Sequence, residues 1–301
     1  MNDNLEKLRT PLYNCRICPR NCGVDRGVEK GYCRSGLKLK INSWFRHTGE
    51  EPVISGSRGS GTIFFSNCNL HCCFCQNYRI SQLGWGREYA VSELVDIMLA
   101  LQAEGVHNIN LVTPTHFSLQ IAEALSQAKS SGLQIPVIWN SNAYEKVETL
   151  RLLKGLVDIY LPDFKYGDAS QGLTLSNALD YPDIARKAIR EMHDQVGFLK
   201  IIDEDTAVQG LLIRLLLLPD NRNSIEHILE WIALELGTST CISLMSQYYP
   251  AYKAAETKGM NRSITSEEFE YARNLAEKWG FRNGFFQEIY PTPEWTPDFR
   301  E

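Results

Sequence analysis

No stretch of this chain is apolar for long enough to cross a bilayer. A spanning helix needs about 20 such residues, and the longest candidate, residues 211–218, is interrupted by Arg214. The opening Met1-Asn-Asp-Asn-Leu-Glu lacks the charged-then-apolar plan of a secretory signal. A cationic surplus is lacking too: the formal net charge is −5, without the basic stripe that a nucleic-acid footprint needs. Internal repeats and low-complexity tracts are absent. These absences predict a cytoplasmic protein with neither nucleic acid nor membrane as partner, whose cysteines are metal ligands before they are disulfides. What is present is ordinary globular composition, 44% hydrophobic and 22% charged over 301 residues. That is enough for one large α/β domain or two smaller ones.

Cysteine is where the sequence is rich. Of nine cysteines, only Cys241 lies beyond residue 75, alone where a small core residue is the expectation. Residues 1–60 have little helical periodicity and carry Cys15-Arg-Ile-Cys18-Pro-Arg-Asn-Cys22-Gly and then Cys33. Four soft ligands in nineteen residues read as a small metal-stapled module. Cys18-Pro favours ferredoxin-type ligation of a [4Fe–4S] cluster, while the tight Cys15–Cys18 turn also suits zinc. Residues 61–285 alternate short apolar runs with helical stripes. Strands are expected near 62–65, 109–112, 136–140, 157–161, 211–218 and 240–245, with residues 198–202 as an extra strand or a loop. Between and after them, Leu94/Ile97/Met98/Leu101, Ile121/Ala124/Leu125/Ala128 and Ile225/Ile228/Leu229/Ile232 follow helical spacing. Such alternation implies parallel βαβ units with right-handed crossovers, and the length suits an open, partial (β/α)6 TIM-like barrel with ligands at the carboxyl ends of its strands. Residues 286–301, with prolines at 291, 293 and 297, read as a strap over the barrel.

The first barrel strand runs into Cys68-Asn-Leu-His-Cys72-Cys73-Phe74-Cys75-Gln-Asn77. Three thiolates of Cys68, Cys72 and Cys75 in one short loop suit three irons of a cubane and leave the fourth iron open. A structural zinc would want a fourth ligand. Cys73, between two ligands, is expected to point away.

This loop resembles that of radical S-adenosylmethionine (SAM) enzymes, and Cys-x3-Cys-x2-Cys-Gln-Asn is similar to the loop of glycyl-radical activating enzymes such as that of pyruvate formate-lyase. The resemblance covers roughly residues 44–280. Phrases such as His47-Thr-Gly-Glu-Glu-Pro, Arg58-Gly-Ser-Gly-Thr-Ile-Phe-Phe, Leu111-Val-Thr-Pro-Thr-His116 and Met245-Ser-Gln-Tyr-Tyr-Pro250 are similar to an uncharacterised activating-enzyme-like branch. It implies a [4Fe–4S] cluster at Cys68, Cys72 and Cys75, with Phe74 and Asn77 beside it, SAM on the open iron, and a 5′-deoxyadenosyl radical that abstracts hydrogen. Where the family has Gly-Gly-Glu after its second strand, this chain has Thr113-Pro-Thr115-His116, so Thr113 or Thr115 would replace that SAM contact. Asn140 and Asn142 resemble the family's polar turn, Asp163 and Lys165 its Asp-x-Lys near the ribose, and Arg214 the arginine that meets SAM's carboxylate. Gln247 and Tyr248 would line the site. The implied function is activation of a glycyl-radical enzyme; the alternatives are modification of a peptide or small metabolite with an auxiliary cluster, or a non-catalytic electron carrier. An electron donor such as flavodoxin or ferredoxin and a protein or peptide substrate are the implied partners.

Overall fold

The computed structural model describes residues 12–202, 206–287 and 299. β1 (Leu39–His47) leads through the one-turn helix α1 (Pro52–Ser55) into β2 (Ser60–Phe65); the cysteine loop, α2 (Tyr78–Ser81) and β3 (Arg87–Tyr89) follow. Then come α3 (Val91–Ala103), β4 (Ile109–Val112), α4 (Ser118–Ser130), β5 (Val137–Ser141), α5 (Val147–Arg151) and β6 (Ile159–Pro162). Two helices, α6 (Ala169–Ser176) and α7 (Tyr181–Val196), precede β7 (Lys200–Ile202) and β8 (Thr206–Leu216). The chain continues through α8 (Ile225–Glu235), β9 (Cys241–Met245), α9 (Ser266–Trp279) and β10 (Gly284–Phe286).

The strands form one curved sheet in the order β3-β1-β2-β4-β5-β6-β8-β9-β10, with β7 paired to β8. From β2 to β10 every neighbouring pair is parallel. All six expected barrel strands are present, and β2, β4, β5, β6 and β9 are buried at every position, as strands covered on both faces must be. Three further strands, β1, β3 and β10, have no counterpart among the expected ones. β1 and β3 add antiparallel pairs beside β2, bringing residues 39–47 of the N-terminal segment into the sheet. β10, three residues long, is too short to show a period. Residues 200–202 form an antiparallel hairpin with β8. There Gly210 has φ +122°, and a Cβ would lie 2.4 Å from the Leu199 backbone, so only glycine lets the two strands approach.

The helical stripes face the sheet as their spacing demands: Leu94, Ile97, Met98 and Leu101 of α3, and Ile225, Ile228, Leu229 and Ile232 of α8, are buried. Each such side chain stabilises the fold by about 1.5–3 kcal/mol. At the start of α9, Thr265 accepts from the Glu268 N–H at 3.2 Å while Glu268 accepts from the Thr265 N–H at 2.8 Å, a reciprocal capping box. The amino-terminal end of the barrel is plugged by α1, whose Val53 and Ile54 pack with Ile138, Ile159, Leu212 and Cys241. Asn108, just before β4, ties this plug down by donating to the Ile54 carbonyl at 2.7 Å. Of the proposed strap, residues 288–298 and 300–301 lie outside the described residues. Phe299 packs edge-on against Phe64 with ring centroids 5.2 Å apart.

Candidate active site and cysteine loop

The carboxyl ends of β2, β4, β5, β6, β8 and β9 open onto a cavity of about 1460 Å³. Cys68, Cys72, Phe74, Cys75 and Asn77 form one end of its lining. The loop is shaped by left-handed residues, Asn67 at φ 72° and His71 at φ 64°, and by donors aimed at sulfur. The Leu70 N–H and the Asn142 Nδ2 each donate to Cys68 Sγ at 3.4 Å, and Cys75 Sγ lies 3.1 Å from Ser81 Oγ. Asn142 also donates to Asn69 Oδ1, and Asn69 to the Tyr144 carbonyl, so the turn after β5 and the cysteine loop fix each other. Phe74 packs edge-on against Tyr166 and Tyr248. Cys73 faces elsewhere, into a second cavity of about 460 Å³ on the outer side of the loop.

Burial pushes the Cys75 thiol up to about 12 and raises that of Cys68, so bare thiols here hold their protons and a cationic centre is needed to keep them as thiolates. Among the described residues no group of three or more His, Cys, Asp or Glu side chains is arranged to hold a single ion. A cubane asks for something else: each thiolate meets its own iron, so the sulfurs stand farther apart than the roughly 3.8 Å edge of a zinc tetrahedron. Three cysteines on one loop, two buried and one half-buried, with N–H donors that tune a cluster's potential, fit that group.

Thr113, Asn140, Asn142, Asp163, Lys165, Arg214, Gln247 and Tyr248 also line the cavity. Thr115 and His116 do not: both are buried behind the wall, and His116 Nε2 contacts the Ser66 carbonyl at 2.8 Å. Burial lowers the His116 pKa to about 3, so its ring is neutral. The cause is local: Thr113 takes a left-handed φ of 57°, and the chain turns away into a 3-10 turn at 115–117. Burial alone would lower the Lys165 pKa, but the Asp163 carboxylate 2.7 Å away outweighs it and holds the ammonium charged.

Arg214 differs most from its expected role. Its Nε donates to Glu51 Oε1 at 2.8 Å, its Nη2 to Glu51 Oε2 at 2.5 Å, and Nη2 also pairs with Glu50. Its guanidinium is thus committed to acids of the plug segment, deep in the barrel. Burial by itself would raise the Glu51 pKa, yet the charge and hydrogen bonds of Arg214 hold it below the usual range. Glu50 and Glu51 were missed as site residues although they sit in the phrase His47-Thr-Gly-Glu-Glu-Pro. The available signal was Arg214 itself, since a cation inside an apolar strand requires an acidic partner somewhere.

The four N-terminal cysteines lie near one another, and among the described residues they are not arranged around a single ion. Burial pushes the Cys18 thiol up to about 12, with Cys33, Cys15 and Cys22 adding to the effect as neighbouring charges. Between two of them, Arg20 reaches into the catalytic loop. It donates to the carbonyls of Asn69 (2.8 Å), Leu70 (3.2 Å), Ser176 (3.1 Å) and Asn177 (2.6 Å). Its guanidinium stacks 3.9 Å from the Tyr32 ring, and Tyr32 stacks in turn on His71 at 4.5 Å.

The chain belongs to the radical SAM superfamily, which residues 62–232 match. It is therefore an enzyme of radical chemistry whose cofactors are a [4Fe–4S] cluster and SAM. An uncharacterised protein of Methanocaldococcus jannaschii is 37% identical over 91% of this chain and 78% of its own length. A second uncharacterised protein of that organism is 24% identical, over 92% and 81%. Among solved structures, HydG, a maturase of the [FeFe]-hydrogenase, is similar with a TM-score of 0.51 at 12% identity over 76% of this chain. HydG from Carboxydothermus hydrogenoformans gives 0.51 at 13% over 75%. The chain spans about half the length of these maturases, 51% and 52%, and the likeness is one of fold. Among the described residues no helix is long and apolar enough to cross a membrane.

Proposed function

We propose that this enzyme abstracts hydrogen from a second substrate held in the same chamber as SAM, and that the substrate is a small metabolite or a peptide side chain. The observation that carries this reading is the size and polarity of the chamber. A cleft for one drug-sized ligand measures about 300–1,000 Å³, and this one, at about 1460 Å³, runs from the cysteine loop to a charged floor. When bound, the cluster supplies the electron that splits SAM into methionine and a 5′-deoxyadenosyl radical. Asn142 and the Leu70 N–H hold the cysteine loop by donating to Cys68. Thr113, Asn140 and the Asp163–Lys165 pair offer hydroxyl, amide and charged contacts at the strand ends for SAM's ribose and amino-acid portion. Gln247 closes the far wall. Arg214, occupied by two carboxylates, serves the floor in this reading and not SAM's carboxylate.

Cys15, Cys18, Cys22 and Cys33 are read as ligands of a second cluster, zinc being the alternative. Activation of a glycyl-radical partner is the second reading, supported by Trp44 and Phe45 at the cavity's edge, 38% and 37% exposed, where an entering loop could dock. Reduction by a flavodoxin- or ferredoxin-type donor belongs to both. The test is metal content and 5′-deoxyadenosine formation on anaerobically reconstituted protein. About eight irons with deoxyadenosine formed supports the two-cluster reading; four irons and one zinc removes the second cluster, and absence of deoxyadenosine removes the function.

A further inference from the structure

The floor of the chamber carries more negative charge than its architecture requires. Glu51 alone satisfies Arg214 in a two-point fork through Nε and Nη2, the strongest arrangement a guanidinium and a carboxylate can adopt. Glu50 is surplus to that fork. It pairs with Arg214 Nη2 through one oxygen and accepts from Asn110 Nδ2 at 2.8 Å through the other. Two carboxylates on one guanidinium leave one negative charge in excess. The side chains of Glu50, Glu51 and Arg214 are only 9%, 6% and 12% exposed. The other buried cation of the lining, Lys165, is matched by Asp163. A surplus charge in so enclosed a place is unfavourable, so a protein that keeps one has it answered by something else.

A second observation points the same way. Asn110 is fully buried on β4, two residues before the cavity-lining Val112, and its Oδ1 has no hydrogen-bond partner among the described residues. Its amide head is fixed at Glu50 by the Nδ2 contact, so an unsatisfied acceptor sits beside the surplus carboxylate. A lone acceptor and an excess negative charge share one complement, a cation with N–H groups to donate. We propose that the floor formed by Glu50 and Arg214, with Asn110 buried beside Glu50, anchors a cationic nitrogen, an ammonium or guanidinium, of the second substrate. The nitrogen binds deep, opposite the cysteine loop, and leaves the rest of the molecule directed toward the strand ends. This rests on the reading that the chamber takes a second substrate besides SAM, and it names the chemical class of that substrate.

The experiment uses reconstituted holoenzyme, with n-butylammonium as the probe, butyrate as its charge control, and SAM titrated in parallel. Wild type should bind n-butylammonium and not butyrate, and Glu50→Gln should weaken the amine at least tenfold. Thermal unfolding adds a readout that needs no ligand. Because Glu50 is a surplus charge, Glu50→Gln should unfold at the wild-type temperature or higher, while Glu51→Gln, which breaks the fork, should unfold lower. The proposal is overturned if wild type does not bind the amine, if Glu50→Gln binds it equally, or if that variant unfolds several degrees lower. A SAM dissociation constant raised tenfold with amine binding unchanged would assign the acids to SAM. Failure of the broader reading looks different: wild type would neither bind SAM nor form deoxyadenosine, whatever it does with the amine.

Discussion

Cys68, Cys72 and Cys75 hang from the end of β2, a strand buried at every position, whereas Cys15, Cys18, Cys22 and Cys33 lie in residues 12–38, which contain no α-helix or β-strand. The first group is held by the barrel itself: Asn142, from the turn after β5, donates to Cys68 and Asn69, while Asn69 and the Leu70 N–H fix the loop from within. The second has turns, a few backbone bonds such as Cys15 N–H to Val24 O, and a four-member apolar cluster of Leu12, Cys15, Ile17 and Leu119. Among the described residues so small a core would, on the proposed reading, leave much of the folding energy to a metal bound there. On the proposed reading, metal at the barrel loop confers chemistry on a fold that already stands, while metal at the N-terminal cysteines would help make the fold. The sharpest way to break that contrast is to measure both properties on both groups. Cys72→Ala should reduce 5′-deoxyadenosine formation to background and move the unfolding temperature by no more than a few degrees. Cys18→Ala should do the reverse, lowering the unfolding temperature while leaving cleavage partly intact. Complete loss of cleavage in a still-folded Cys18→Ala protein would mean that the module feeds electrons to the barrel cluster.

Arg20 joins the two regions, and its removal gives the next largest effect. The side chain satisfies four carbonyls and lies between the rings of Tyr32 and Tyr144, at 3.9 and 5.0 Å. Charged hydrogen bonds contribute about 1.5–3 kcal/mol each at most and are not additive, so Arg20→Ala should cost about 2–4 kcal/mol. Arg20→Lys should recover little, because an ammonium can neither span two pairs of carbonyls nor stack. Denaturant unfolding checks both. Recovery by lysine to within 0.5 kcal/mol, a difference near the limit of such comparisons, would show that only the charge matters.

How much of this was legible beforehand differs between the same two regions. The barrel strands and helical stripes follow from period and burial, and Cys68-x3-Cys72-x2-Cys75 from ligand spacing. Arg20 gave no signal, because its partners are backbone carbonyls up to 157 residues away, and carbonyls carry no sequence identity. Glu50 and Glu51 were hidden for a related reason: their partner Arg214 is more than 160 residues distant, and nothing local marks a Glu-Glu-Pro turn as pointing inward. Thr115 was misplaced because one left-handed residue, Thr113, reverses which side chains face the chamber. Contacts set by topology are opaque to a reading of local pattern; those set by spacing are not.

A third test concerns Glu145, behind the turn that carries Asn140 and Asn142. It is 2% exposed and accepts from Trp139 Nε1 at 2.9 Å and Ser141 Oγ at 2.6 Å. Burial raises its pKa, only partly offset by those donors. A carboxyl whose pKa is higher in the folded state keeps its proton better than in the unfolded chain. Its contribution to stability is therefore greatest below the ordinary carboxylate range and declines as pH rises toward the folded value. Glu145→Gln can keep the Trp139 bond while its amide donates to Ser141. The variant should lose that part of the pH dependence and be at least as stable as wild type at pH 8. Thermal melts from pH 4 to 8 provide the check; a variant less stable than wild type at pH 8 would show that the ionised form is wanted.

The smallest effect is the most local. Thr113 ends β4 at φ 57°, its N–H bonded to the Asn140 carbonyl at 2.9 Å. A β-branched residue in that region is strained by roughly 1–2 kcal/mol, and glycine, which is not, loses part of the gain to the greater freedom of its unfolded chain. Thr113→Gly should therefore change stability by less than about 1 kcal/mol, most simply upward. If the strain exists to hold the hydroxyl against SAM, the same substitution should weaken SAM binding by about 1 kcal/mol, the worth of one hydrogen bond. Unfolding and SAM titration on one preparation separate the two, since strain held for function predicts opposite signs, a more stable protein that binds SAM less well. A variant that loses stability and keeps its SAM affinity would instead make Thr113 part of the wall.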